Sequence, residues 1–203
     1  MLLDSIHKQN VFTEQEIQSL ESSIADICTI SEHVTDGKMY ARVYEWDFYS
    51  ENAQKIKNIL EPKLPVTTVT QSHILDSFYP YEIHTDVKHN NDKVDSEYTV
   101  IIPLENYNSE TVVFNEHNEH TNEFEDFKQS YSGSRELKIP IDMCLKLTHL
   151  HPKDLKYLSI KETFQWSKGS LFAFDRKYYH CSDNHLKSLD TSKRAILLWT
   201  SKQ

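Results

Sequence analysis

The chain has 203 residues and carries 22 Lys plus Arg against 31 Asp plus Glu, a net charge of −9 with neutral histidines. Such an acidic balance argues against a phosphate-backbone binder, which needs excess cationic side chains to release counterions. Three glycines are too few for Gly-rich nucleotide loops, and no apolar run approaches the roughly 18 residues of a membrane span.

From the N-terminus, Met1 to Asn10 is not expected to be a signal peptide. Thr13 followed by Glu16 fits a capping box, and Ile17, Leu20, Ile24 and Ile27 recur at helical spacing as far as Cys28. Ser50 to Leu60 reads as a second amphipathic helix, with Ala53, Ile56 and Leu60 on one side and Pro62 as its stop. After Leu64 the pattern changes to short stretches rich in β-branched and aromatic residues: Val66–Thr70, Ile74–Tyr79, Tyr98–Leu104, Thr111–Phe114, Ser170–Phe174 and Ala195–Thr200. Turn-like polar segments separate them, which predicts a mainly β sandwich or barrel supported by N-terminal helices. Glu116 to Ser134 is polar and acidic and reads as an insertion or lid. A short helix is expected within Leu150–Ile160. With neither an internal repeat nor a long linker, residues 1–203 are expected to form one domain: 1–64 as helical support, 65–203 as the β core, and about 115–163 inserted into it.

Cys28, Cys144 and Cys181 are odd in number, far apart and without a CxxC pair, so idle thiols in a reducing cytoplasm are expected. The histidines number eleven. His117 with His120, and His149 with His151, lack a partner cysteine and read as solvated loop residues rather than zinc ligands.

His84-Thr85-Asp86 is an H-x-D triplet, and in an extended segment positions i and i+2 face the same side, so both can reach one metal ion. Composition alone yields about 0.8 such triplets by chance, so the triplet needs its context. Gly169 heads a turn into an apolar strand, His180 follows that strand, and Arg194 comes fourteen residues later at the head of the last strand. Arg194 is one of only four arginines, and Lys193 beside it offers the opposite face. His185 is a competing ligand, but His180 directly follows the apolar strand and has the better spacing to Arg194. Two imidazoles and a carboxylate on one face leave three octahedral positions open, the donor set of non-haem Fe(II) oxygenases. An oxo-acid filling two of them needs a fixed cation for its far carboxylate, a task suited to the planar fork of arginine.

Asp76 to Ser201 resembles the 2-oxoglutarate- and Fe(II)-dependent oxygenases, particularly their prolyl-hydroxylase-like branch. The likeness runs through Phe78-Tyr79-Pro80-Tyr81-Glu82-Ile83-His84-Thr85-Asp86, Tyr98–Asn106, Glu110–Phe114, Gly169–His180 and Lys193–Thr200. The resemblance implies a double-stranded β-helix, or jelly-roll barrel, with iron in its mouth. It implies His84, Asp86 and His180 as iron ligands, Arg194 as partner of the 2-oxoglutarate C5 carboxylate, and Tyr79 and Trp199 beside the cosubstrate. Asn108-Ser109-Glu110 stands where the family usually carries glycines. The implied activity is oxidative decarboxylation of 2-oxoglutarate by O₂ to succinate and CO₂, coupled to hydroxylation of a peptidyl residue or a small metabolite. The competing reading is a non-catalytic jelly-roll protein that binds a ligand or partner through the same pocket.

Overall fold

In a computed structural model of the chain, the structure describes residues 5–64, 68–87, 96–118, 124–133, 135–188 and 192–201. A short strand, β1 (Ile6–Lys8), precedes α1 (Glu14–Ala25). The capping box at the start of α1 forms as read: Glu16 N–H donates to Thr13 Oγ1 at 3.2 Å and Thr13 N–H to Glu16 Oε2 at 2.8 Å. Ile17, Leu20 and Ile24 are buried on the inner side of α1. A 3₁₀ turn (Glu51–Ala53) leads into α2 (Gln54–Leu60), with Ala53, Ile56 and Leu60 buried as their spacing requires.

Residues 1–64 are not helical throughout. Between the helices lies a β-hairpin, β2 (Thr29–Thr35) and β3 (Lys38–Glu45). Asp36 and Gly37 turn it with φ of 51° and 73°, the left-handed pair of a two-residue hairpin turn. All seven residues of β2 are exposed, so no burial demand imposed an inside–outside alternation on its sequence.

The strands β4 (Thr68–Ser77), β5 (Ser96–Pro103), β8 (Leu171–Asp175) and β10 (Lys193–Ser201) complete a seven-stranded antiparallel sheet ordered β1-β8-β5-β10-β4-β3-β2. Of the Val66–Thr70 stretch, residues 66 and 67 lie outside the described residues, and β4 begins at Thr68. A second sheet, ordered β7-β6-β9, contains β6 (Glu110–His117), β7 (Ile160–Gln165) and β9 (Tyr178–Ser182). His84 adds an antiparallel bridge to His180 on β9. The fold is therefore mainly β with few helices.

Because strand side chains alternate in direction, each face of the large sheet has its own partners. Ile74, Val100, Ile102, Ala173, Ile196 and Leu198 pack on one face with Ile17, Leu20, Ile24, Ile56 and Leu60 of the helices. On the other face Ile101, Phe172, Phe174 and Ala195 share a cluster with Val113 of β6, Phe164 of β7 and Tyr178 of β9. The expected insertion packs against the back of the small sheet. Within it, α3 (Phe124–Ser130), α4 (Ile141–Lys146) and a 3₁₀ turn (Asp154–Tyr157) place Phe124, Met143, Leu147, Leu155 and Leu158 against Val112, Phe114, Tyr179 and Cys181. Residues 119–123 and 134 of the polar stretch lie outside the described residues.

Candidate metal centre

The bridge between His84 and His180 is a two-way backbone pairing. His84 N–H donates to the His180 carbonyl at 3.1 Å, and His180 N–H to the His84 carbonyl at 2.9 Å. It brings the two imidazoles to 4.3 Å between ring centroids. Two residues on, Asp86 is tied to the β8–β9 turn: its N–H donates to the Arg176 carbonyl at 3.0 Å, and Arg176 Nε donates to the Asp86 carbonyl at 2.8 Å. The ligand atoms of His84, Asp86 and His180 all lie within 4.8 Å of one another. Asp86 Oδ1 stands 3.9 Å from His84 Nε2, and Oδ2 stands 3.5 Å from His180 Nε2. His180 follows the end of β8 and lies inside a further strand, β9, because the chain reverses tightly after Asp175 and resumes as a strand at Tyr178.

The atoms behind the ligands orient them. His84 Nδ1 contacts the Glu82 carbonyl at 2.7 Å and His180 Nδ1 contacts the Tyr178 carbonyl at 3.1 Å. A carbonyl can only accept, so each Nδ1 carries the proton and each Nε2 lone pair is free for a cation. Burial, with His84 alongside, pushes His180 down to about 4, so it is neutral at pH 7. Burial pushes the Asp86 carboxyl up, but His180, His84, the donating Thr99 hydroxyl and Arg176 outweigh it and hold the group below its ordinary value. Two imidazoles with Nε2 toward the cavity and one carboxylate form a site that can hold a divalent metal with positions to spare.

A cavity of about 540 Å³ opens over the triad. One part of its wall is Thr111, Trp166 and Lys193. Lys193 is only 2% exposed; its ammonium donates to Ser109 Oγ at 3.0 Å and lies 4.2 Å from the Trp166 ring centre. The Trp166 indole N–H donates to Thr111 Oγ1 at 2.9 Å. Further along β10, Leu197 and Trp199 line the same cavity, and the Arg176 guanidinium covers the Trp199 ring at 4.7 Å.

Arg194 and Tyr79 stand elsewhere. Arg194 shares the helix-side face of β10 with Ile196 and Leu198; its guanidinium reaches Glu21 of α1 at 3.5 Å and Asp76 of β4 at 3.4 Å, and lies over the Tyr44 ring. The residue whose side chain enters the cavity is Lys193, one position earlier. Tyr79 packs against Tyr40 at 4.8 Å and does not line the cavity, whereas Tyr81 does, with its ring 5.6 Å from that of His84. His185 is fully buried apart from the triad, where burial first and Lys193 second push it down to about 4. Thus the structure gathers His84, Asp86, His180 and Trp199 around one cavity and leaves Arg194 and Tyr79 outside it. Sequence reasoning passed over Lys193, Tyr81 and Thr99. Position parity with Trp199 was the available signal for Lys193, but Ala195-Ile196-Leu197-Leu198 is apolar on both faces and conceals the parity.

Several solved structures match the chain along almost its whole length. The epimerase SnoN from nogalamycin biosynthesis, solved with Fe3+, alpha-ketoglutarate and nogalamycin RO, is 9% identical, matches 98% of this chain and 78% of its own, and has a TM-score of 0.59. HygX from Streptomyces hygroscopicus, solved with nickel and 2-oxoglutarate, is 12% identical over 98% of this chain and 83% of its own, with a TM-score of 0.57. A Trichoplax adhaerens prolyl hydroxylase, in complex with a hypoxia-inducible-factor peptide, is 9% identical over 98% and 83%, with a TM-score of 0.52. The fold is that of the 2-oxoglutarate/Fe(II) oxygenases. At such identities the likeness to these oxygenases is one of fold. No protein-family model and no curated protein matches the sequence.

Proposed function

We propose that the chain is a single-domain 2-oxoglutarate- and Fe(II)-dependent oxygenase whose two sheets are the walls of a double-stranded β-helix. The observation that carries this reading is the His84–Asp86–His180 cluster, with ligand atoms within 4.8 Å and each Nδ1 on a backbone carbonyl. The donor set fits iron, and no second protein carboxylate crowds it among the described residues. Bound there, Fe(II) with 2-oxoglutarate and O₂ supplies the oxidation that releases succinate and CO₂ and hydroxylates the substrate.

The chain's own residues do the positioning. Thr99 and Arg176 fix Asp86, one at the carboxylate and one at the backbone. Lys193 takes the role first assigned to Arg194, pairing with the distal carboxylate of 2-oxoglutarate, and Thr111, Trp166 and Trp199 line the cosubstrate's slot. A buried lysine beside a hydroxyl and an indole face is a suitable seat for a carboxylate, because low local dielectric strengthens the pairing. Trp199 and Leu197 add apolar surface to the cavity wall. The test is succinate formation from 2-oxoglutarate by protein supplied with Fe(II). The parent releases succinate and His84→Ala does not; a variant that keeps the parent's rate removes the triad from the chemistry.

A further inference from the structure

Beyond the triad and the Lys193 end, the cavity has a third region whose chemistry points to a substrate. It is a shelf made by β3 and β4. Val43 and Glu45 of β3 line the cavity, and the strand register sets Val43 opposite Leu75 and Glu45 opposite His73. Alternation puts all four on one face, with an apolar pair beside a polar pair. Among the described lining residues the formally charged ones are Glu45, Asp86 and Lys193. Asp86 belongs to the metal cluster, and Lys193 is bonded to Ser109. Glu45 differs from both: it is exposed, and its carboxylate has no hydrogen-bond or ion-pair partner among the described residues. The other glutamate of the hairpin, Glu32, is already held by Arg42 at 2.9 Å.

We infer that this shelf takes an organic cation, an amine or guanidinium carried on an aliphatic stem, with the stem along Val43 and Leu75 and the charged head at Glu45. A carboxylate with no partner at the open side of a cavity accepts a charge-assisted hydrogen bond from such a group without breaking one it already makes. The chain's net charge of −9 favours the approach of cations. A neutral group of the same shape loses that contact, so charge at the head is the selective feature. This assignment rests on the oxygenase reading, since the shelf is a substrate site only if the triad works beside it. The same head group occurs on a free basic amino acid and on a lysyl or arginyl side chain within a peptide.

Calorimetry on protein with Ni(II) and 2-oxoglutarate separates these cases. The probes are L-lysine, L-arginine, a doubly blocked pentapeptide with central lysine, and its norleucine counterpart. The lysine-containing or free basic probes bind and the norleucine peptide does not; preference between the free amino acids and the blocked peptide identifies the source. Glu45→Gln weakens the basic probe roughly tenfold, on the scale of one charge-assisted bond, and Glu45→Lys abolishes it. Glu32→Gln, on the opposite face of the hairpin, leaves the affinity as it was. Binding of the norleucine peptide as tight as that of the tightest basic probe, binding of none of the basic probes, or an affinity untouched by Glu45→Gln overturns the inference while leaving the oxygenase reading in place. Failure of Ni(II) and 2-oxoglutarate themselves to bind overturns the oxygenase reading, and the substrate assignment falls with it.

Discussion

At the scale of single residues, the decisive pair is Lys193 and Arg194. They are neighbours with opposite fates, because one strand step rotates a side chain to the other face of the sheet. Lys193 enters the cavity and is 2% exposed; Arg194 lies among the helices, bridging Glu21 and Asp76. Replacing Lys193 by Met removes the charge and keeps the stem. It should weaken 2-oxoglutarate by about 2–5 kcal/mol, the cost of leaving a buried partner charge unpaired, or about thirtyfold at the least. Arg194→Ala should leave the cosubstrate affinity close to that of the parent and lower stability through the lost Glu21 and Asp76 contacts. Titration of 2-oxoglutarate into the metal-loaded variants measures both, and the reverse ranking would return the role to Arg194. His84 and Asp86 were legible in the sequence because i, i+2 spacing is a local property, and His180 because it follows the apolar Leu171–Phe174 run. Choosing between Lys193 and Arg194 required the strand's orientation, which depends on the helices packed behind Ile196 and Leu198.

Among the elements, Gly169 shows how a turn fixes a strand. Its carbonyl accepts from Val11 N–H at 2.9 Å and Phe12 N–H at 3.0 Å, and its own N–H donates to the Pro103 carbonyl at 3.1 Å. The residue has φ of +71°, and a Cβ placed on it would sit 2.4 Å from the Phe12 carbonyl oxygen. Gly37, at φ +73°, has nothing within 4 Å of the same added atom. Gly37→Ala should therefore cost about 1–2 kcal/mol, the left-handed backbone penalty alone. Gly169→Ala should exceed that, since the obstructing atom is backbone and part of a hydrogen-bonded turn. Urea unfolding midpoints measure the difference, and equal costs would refute this account of the turn. The elements themselves were unevenly legible. Thr13, Glu16 and the Ile17–Leu20–Ile24 spacing announce α1 because capping and burial act on the sequence directly. The β2–β3 hairpin carried only Asp36-Gly37 as a signal, since the exposed β2 shows no alternation of burial.

For the molecule as a whole, two sheets and three apolar clusters frame the cavity. The helices seal the back of the large sheet, and the 124–158 segment seals the back of the small one with Phe124, Met143, Leu147 and Leu158. That second layer is largely structural, although its His149 Nε2 also donates to the Tyr81 carbonyl at 3.2 Å and so steadies the segment leading to His84. The sequence of this region announced an insertion but not its docking, because the partner surface (Val112, Phe114 and Tyr179) is assembled from strands far away in the chain. No helix among the described residues is long and apolar enough to cross a membrane. The central claim is that His84, Asp86 and His180 hold Fe(II) beside a bound 2-oxoglutarate. Anaerobic addition of Fe(II) and then 2-oxoglutarate, followed by visible absorption, tests it most directly. The account predicts a weak charge-transfer band in the parent protein and its absence in His180→Ala; a parent without the band, or a variant that retains it, would contradict the account.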